Sequence, residues 1–512
     1  MTAASPAVPV STPVRALVAA AALAVALVAR AGTAAPPPPD FAGLDRLIAQ
    51  TRALSGLPAG TAVVVVRDGQ VIHQAYSGYA DIAARTPVSA ATVFYIASAT
   101  KPMFALNALL AEADGRLDTG MSLQSMFPDV AFQGFDAGAV TARDLLTHTA
   151  GVDNTGLAWA TAYSGVHDAA SRRALVAATV GDPAAPRGQF AYTNVGYNLL
   201  SVWMEQMPGP SWQDQLARTV FQPLGMRHTS ARISTATAGG WQLARPYSLA
   251  SAQPDVPLYL VKDDTTMQAA GGVVSSAPDL ARLLIAELSA TGGSGLPRDV
   301  IARSQQRQVS LSSRYQDIER NGYAWGWYTG TYKGQTMLHH FGGFAGFHAH
   351  LSFMPGRNLG LVVLTNEDVL GARMTALIAD HVYGALLGEP DVEARTQARF
   401  AALQAQTGQA LQAMAGQRAS VQARPWTLSQ ARSRYTGTYA NALLGTVAVE
   451  ESGAQALRLR WGRLDAVASA GTQPDQVRVE FVPNSGQWLE FRMADAQPRA
   501  IVFEGMVFDR TP

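Results

Sequence analysis

The chain has 512 residues, 48% hydrophobic and 15% charged, with a formal net charge of +1. That length points to two or three domains, the apolar fraction excludes wholesale disorder, and the charge balance gives no sign of a nucleic-acid partner. Cysteine is absent, which excludes a disulfide scaffold, Cys-based metal sites and a thiol nucleophile; only three of the 39 basic residues are lysines, Lys101, Lys262 and Lys333.

In chain order, Arg15 precedes an uncharged apolar run over 16–29, followed by the small residues of Ala29-Arg30-Ala31. The run is shorter than the roughly 20 residues a membrane helix needs. The pattern is that of a secretory signal over 1–31, followed by a Pro-rich spacer over 32–40. An exported protein, periplasmic or secreted, is expected, with no membrane span after signal cleavage. An uncleaved N-terminal anchor is the alternative.

Residues 41–58 carry apolar side chains at helical spacing. A β-branched run over 62–66, Asp68-Gly69 and a second run over 71–76 read as a hairpin. Helices are expected near 98–115, 141–147, 195–207 and 277–290, and late strands near 324–332, 335–340, 347–354 and 359–365. Early and late strands around a helical middle predict an α+β main domain over 41–390, one antiparallel sheet with helices packed on it. Residues 391–425, rich in Ala, Gln and Arg, read as a helical connector. The final stretch, 426–512, alternates in short runs and reads as a small all-β, barrel-like domain.

The chemistry begins at Ser98-Ala99-Thr100-Lys101-Pro102, which leads into an apolar-periodic run. Proline is tolerated only near a helix start, so Ser98 and Lys101 lie one turn apart on one face. A serine hydroxyl needs a neighbour to take its proton, and a desolvated lysine amine is such a neighbour. The pattern is also met by a capping serine beside a surface lysine. Tyr192-Thr193-Asn194 follows a Pro-Arg-Gly turn and opens a helix. Tyr192 acts as a base only if cations stabilise its phenolate. Asn194 either caps the helix or orients Lys101 and a substrate carbonyl. Tyr439-Ala440-Asn441 has the same spacing and reads as a strand-end turn in the β module. His340-Phe341-Gly342-Gly343 lies in an expected strand facing the site, where glycines let a substrate approach the backbone.

At these residues the chain resembles the serine β-lactamase and penicillin-binding-protein superfamily, on its class C β-lactamase, D-aminopeptidase and family VIII esterase branch. The likeness spans about 42–388. It rests on Phe94 to Lys101, Asp144-Leu145-Leu146-Thr147-His148-Thr149-Ala150-Gly151, Tyr192 to Tyr197, Phe221-Gln222-Pro223-Leu224-Gly225-Met226, Ala270 to Ser275 and His340 to Phe347, in that order. It implies the β-lactamase/transpeptidase-like fold and an acyl-serine intermediate. Ser98 is then the nucleophile, Lys101 and Tyr192 handle the proton, and Asn194, His340 and Gly342 support the substrate. The backbone N–H groups of Ser98 and Gly343 form the oxyanion hole. The β module resembles the C-terminal β-barrel domains of some members.

One departure matters. Many β-lactam and D-Ala-D-Ala enzymes carry Lys-Thr-Gly or Lys-Ser-Gly where this chain has His340-Phe341-Gly342. Neutral histidine and phenylalanine are poor holders of a carboxylate. The expected function is therefore a serine hydrolase acting on esters or small peptide amides. The alternatives are a β-lactamase or D,D-carboxypeptidase/D-aminopeptidase, and a non-catalytic binding protein. A neutral, donating His340 implies activity that holds from about pH 7 upward.

His339, His340, His348 and His350 cluster, but the spacing lacks the further ligands of a metallo-hydrolase, so neither metal nor cofactor is expected. His148 with Asp153 offers a Ser-His-Asp alternative, outweighed by a turn-ordering histidine. Tyr323, Trp325, Trp327 and Tyr328 read as strand core rather than cleft lining.

Overall fold

The computed structural model describes residues 40–289, 295–453 and 456–512. The signal expected over 1–31 and nearly all of the spacer lie outside the described residues. No described helix is long and apolar enough to cross a membrane.

The main sheet has eight antiparallel strands. They are β1 (Thr61–Arg67), β2 (Gln70–Ser77), β3 (Val309–Tyr315), β4 (Ile318–Tyr323), β5 (Tyr328–Tyr332), β6 (Gln335–Phe344), β7 (Phe347–Met354) and β8 (Leu359–Thr365), in the order β3-β4-β5-β6-β7-β8-β1-β2. The early and late parts of the chain meet where β1 pairs with β8, Val63 opposite Val363. Asp68 and Gly69 both take positive φ, 51° and 75°, as the two-residue turn between β1 and β2 requires.

The strand β1 is apolar on both faces because both are covered. Val63 and Val65 pack with Leu44 and Leu47 of helix α1 (Ala42–Ser55) and with Leu377 and Ile378 of a late helix, Gly371–Leu386. Ala62, Val64 and Val66 belong to the other layer, with helix α2 (Lys101–Ala113) and with helix α4 (Ala277–Leu288); helix α3 (Val195–Met204) also lies in that layer. Each fully buried valine contributes about 1.5–3 kcal/mol relative to exposure.

The structure departs from the sequence expectations in three places. Strands β3 and β4 were not expected. Their sequences are polar and β3 is a largely exposed edge, so the alternation that marks a half-buried strand is missing. Residues 324–327 lie outside the strand expected at 324–332, because Gly326 turns at φ 82° against Pro102. The last of the short runs in 426–512, read from sequence as one strand over 500–508, is a hairpin, Gln497–Phe503 and Met506–Arg510, turning at Glu504 and Gly505, both of positive φ.

A 32-residue helix, Val392–Ala423, leads to the second sheet. That sheet has nine strands, and its two edge strands, Leu464–Val467 and Ser469–Ala470, are consecutive in the chain. The edges are thus joined through Ala468, and the sheet curls into a nearly closed barrel that leaves little unpaired edge. Tyr439 sits within the strand Gly437–Asn441, fully buried, and its hydroxyl donates to the Tyr435 carbonyl (2.8 Å). Tyr439 is thus barrel core, and the triplet ends its strand as expected, Asn441 Oδ1 accepting from the Leu443 and Leu444 N–H groups (2.9 and 3.0 Å) of the turn that follows.

Candidate active site

Ser98 sits in a 3₁₀ turn, Ala97–Thr100, that runs directly into α2 with Pro102 in its first turn. Ala97, a non-glycine residue, takes φ 45°, so the turn stores local strain beside the serine. Lys101 is fully buried. Its Nζ lies 3.1 Å from Ser98 Oγ and donates to Asn194 Oδ1 (2.8 Å) and to the Ala270 carbonyl (2.7 Å). Burial holds the Lys101 amine well below the usual lysine pKa. Asn194 caps nothing with its side chain at the start of α3; its carbonyl oxygen is used on Lys101 instead.

Tyr192 is hydrogen-bonded to Ser98, and the Lys101 Nζ lies 4.8 Å from its ring centre. The residue is 41% exposed on the cleft surface. Burial of its hydroxyl end still raises the phenol pKa, opposed by Ser98 and by the Arg320 charge, and the open ring limits how far. The phenolate is therefore disfavoured at rest, against the condition set for a Tyr192 base.

His148 stacks on Tyr192, ring centres 4.5 Å apart. Its Nδ1 accepts from the Thr193 N–H (3.3 Å), so the proton sits on Nε2, which meets the Tyr323 hydroxyl (3.2 Å). Both nitrogens are thus occupied without Asp153, and the histidine orders the segment carrying Tyr192.

On β6, side chains alternate. His340 faces the site, with its ring centre 6.2 Å from that of Tyr192. Phe341 points to the other side, stacked on Tyr315 (4.1 Å). The His340 Nδ1–H donates to the Phe341 carbonyl (2.8 Å), and burial, Lys101 and Arg320 hold the imidazole neutral. Its buried Nε2 then carries a lone pair without a partner. The nitrogen that would donate toward the site thus carries no proton. Gly342 lies against the nucleophile turn, where a Cβ would meet the Ile96 carbonyl oxygen at 1.8 Å, whereas Gly343 opens into free space.

A cleft opens beside these parts, lined by Ser98, Asn194, Ala270, Gly343, Phe344 and Lys262 among others. Lys262 was not singled out as a site residue from sequence; its only signal there was the scarcity of lysine. Asn198, which fixes the Ala270 N–H through its Oδ1 (3.3 Å), was also missed, although it lies one turn beyond Asn194 on α3. The aromatic cluster divides: Trp325 and Trp327 are core, while Tyr323 and Tyr328 surround His148, Tyr192 and His340. His350 spends Nε2 on Ser352 Oγ (2.7 Å), and among the described residues no group of three or more His, Asp or Glu is arranged to hold a metal.

The barrel reaches the rim of this cleft. Trp461 stacks on Trp159 (5.8 Å), Arg463 pairs with Asp263 beside Lys262, and the Arg463 N–H donates to the Ser164 carbonyl (2.9 Å).

Comparisons with known proteins agree with this geometry. The Beta-lactamase family model matches residues 44–383. The Unguisins hydrolase ungD of Aspergillus violaceofuscus is 28% identical over 335 residues, covering 60% of this chain and 58% of that protein. Penicillin-binding protein 4* of Bacillus subtilis is 26% identical over 344 residues, covering 64% of this chain and 72% of that one. The chain thus spans little more than half the length of the first relative. Among solved structures, the octameric penicillin-binding protein homologue from Pyrococcus abyssi aligns over 92% of this chain and 99% of its own, with TM-score 0.58 and 21% identity, a likeness of fold. The strained serine turn, the buried lysine and the two-layered antiparallel sheet that holds them, together with a family match across 44–383, make this chain a member of the Beta-lactamase family.

Proposed function

We propose that the protein is a serine hydrolase that acylates Ser98, with esters or small peptide amides as substrates. One observation carries the reading. A neutral lysine amine has two N–H bonds and one lone pair. Acceptors that cannot donate, Asn194 Oδ1 and the Ala270 carbonyl, take the two N–H bonds, which leaves the lone pair for the Ser98 hydroxyl at 3.1 Å.

The Ser98 proton passes to Lys101 Nζ as Oγ attacks the substrate carbonyl carbon. The new oxyanion is held by the N–H groups of Ser98 and Gly343, each such donor being worth roughly 3–4 kcal/mol in comparable sites. Tyr192, protonated at rest, gives its phenol proton to the leaving oxygen or nitrogen and regains one from Lys101. Water then attacks the acyl-serine by the reverse proton path, releasing the acid and free Ser98.

Esters and simple amides are favoured over β-lactams because β6 carries His340 and Phe341 where a lysine and a hydroxyl would grip a carboxylate from that strand. The Aspergillus relative is named a hydrolase, which is compatible with a hydrolytic reaction here. Export, periplasmic or secreted, belongs to the same reading and rests on the 1–31 segment; N-terminal sequencing of the mature protein tests it.

The experiment is labelling with a fluorophosphonate probe and turnover of p-nitrophenyl esters. Loss of both in Ser98→Ala is expected. Wild-type labelling or turnover in that variant rejects Ser98 as nucleophile, and nitrocefin turnover at comparable rates would favour the β-lactamase alternative.

A further inference from the structure

We propose that Lys262 forms a second cationic subsite within the Ser98 cleft, one that receives a carboxylate carried by the substrate. The proposal rests on the hydrolase reading above and names the substrate class it serves.

Lys262 lines the same cleft as Ser98 and Gly343 but comes from a different segment, the stretch before Ala270. Its Nζ lies over the Phe344 ring, 3.8 Å from the centroid, with Tyr95 at 5.3 Å and Tyr163 at 5.4 Å. The Ala162 and Thr266 carbonyls accept two of its N–H bonds. Among the described residues the third has no acceptor and Lys262 makes no ion pair. Its neighbour Asp263 is committed elsewhere, accepting from Thr265 Oγ1 (2.6 Å), the Thr266 N–H (3.0 Å) and Arg463.

Lys333 shows the contrast. It pairs with Asp380 (2.9 Å) and Glu389 (2.6 Å) in a network with Arg395 and is structural. An ammonium set among aromatic rings and carbonyls, with Asp263 near but not paired to it, is costly to keep charged, and burial lowers its pKa to about 7 against the Asp263 charge. A carboxylate entering the cleft supplies the missing charge and a strong charge-assisted acceptor for the free N–H. Lys262 comes from a wall other than β6, so the subsite it forms is distinct from the one a β6 lysine would make. That wall is anchored by the barrel through Arg463 and Asp263, which gives the second sheet a part in substrate choice.

The test uses matched aryl esters. In one pair the acyl group is glutaryl, as the free acid and as its methyl ester; in the other a carboxymethyl group sits on the aryl leaving group, again free and methylated. In the wild type, kcat/KM for the free acid should exceed that of its methyl ester by at least about tenfold in one pair, the size of a single charge-assisted contact. Which pair responds shows whether the carboxylate lies on the acyl or the leaving side. In Lys262→Met the ratio should collapse toward one. A wild-type ratio near one in both pairs overturns the proposal without variants, and a high ratio that survives Lys262→Met overturns it as well. An enzyme that hydrolyses esters without carboxylate preference loses only this inference. Failure to hydrolyse any ester or to label Ser98 removes the hydrolase reading and this one with it.

Discussion

Gly342→Ala tests how the third strand motif supports the nucleophile. The added Cβ would lie 1.8 Å from the Ile96 carbonyl oxygen, 2.8 Å from its carbon and 3.1 Å from the Ala99 nitrogen. Ordinary contact begins near 3.4 Å, so the nearest atom is about 1.6 Å too close. All three opposing atoms are backbone, so no side-chain rotation relieves the clash. They flank Ser98, and the turn they form already holds Ala97 at positive φ. Overpacking of this kind costs about 1–3 kcal/mol of stability. The larger effect falls on chemistry: a displacement of about 1 Å at a reacting group costs about 100-fold, or about 2.7 kcal/mol of barrier. Ester kcat/KM should fall about 100-fold or more, with a folded protein by circular dichroism and a urea midpoint lowered by the smaller amount. Gly343→Ala is the control for packing, because its Cβ meets nothing within 4 Å and stability should not change. Wild-type kcat/KM together with wild-type stability in Gly342→Ala would refute the tight seating of the nucleophile turn on β6.

Other outcomes follow from the same geometry. Lys101→Arg keeps a cation but cannot present a lone pair, so kcat should drop about 10²–10⁴-fold, as in Lys101→Met; retention of activity in the arginine variant contradicts the proton path. Because burial holds His340 neutral well below the ordinary histidine range, the wild-type pH–rate profile should show no inflection near 6.5; one that disappears in His340→Ala would show a titrating His340 instead. Glu287 is buried with its pKa raised to about 7. The folded state holds that proton where the unfolded chain has lost it, so wild-type stability falls, relative to Glu287→Gln, as pH rises from about 4.5 to 7. The difference amounts to about 3 kcal/mol and levels off above pH 7. Urea midpoints at pH 5 and 8 measure it, and a pH-independent difference disproves it.

Much was legible in the sequence because it is local. The Asp68-Gly69 hairpin, the helix start at Pro102 and the one-turn spacing of Ser98 and Lys101 depend on neighbours a few residues apart. The valine run of β1 announced a buried strand, since only a strand covered on both faces tolerates unbroken apolar sequence. The polar β3 and β4 carried no such signal; their place is set by pairing with β5.

For the site, sequence alone determined which side chains could do acyl-transfer chemistry and, through the absence of cysteine, excluded a thiol nucleophile. Tertiary structure alone decided their states. Lys101 is deprotonated more easily because burial desolvates its amine, and the two acceptors that orient it come from 93 and 169 residues away. His340 became an acceptor because its own strand supplied the carbonyl for Nδ1. Nothing in the spacing separates the three lysines. Packing placed Lys101 beside the serine, Lys333 in an ion-pair network and Lys262 unpaired in the cleft, because protonation and charge balance depend on contacts that close only when distant segments meet.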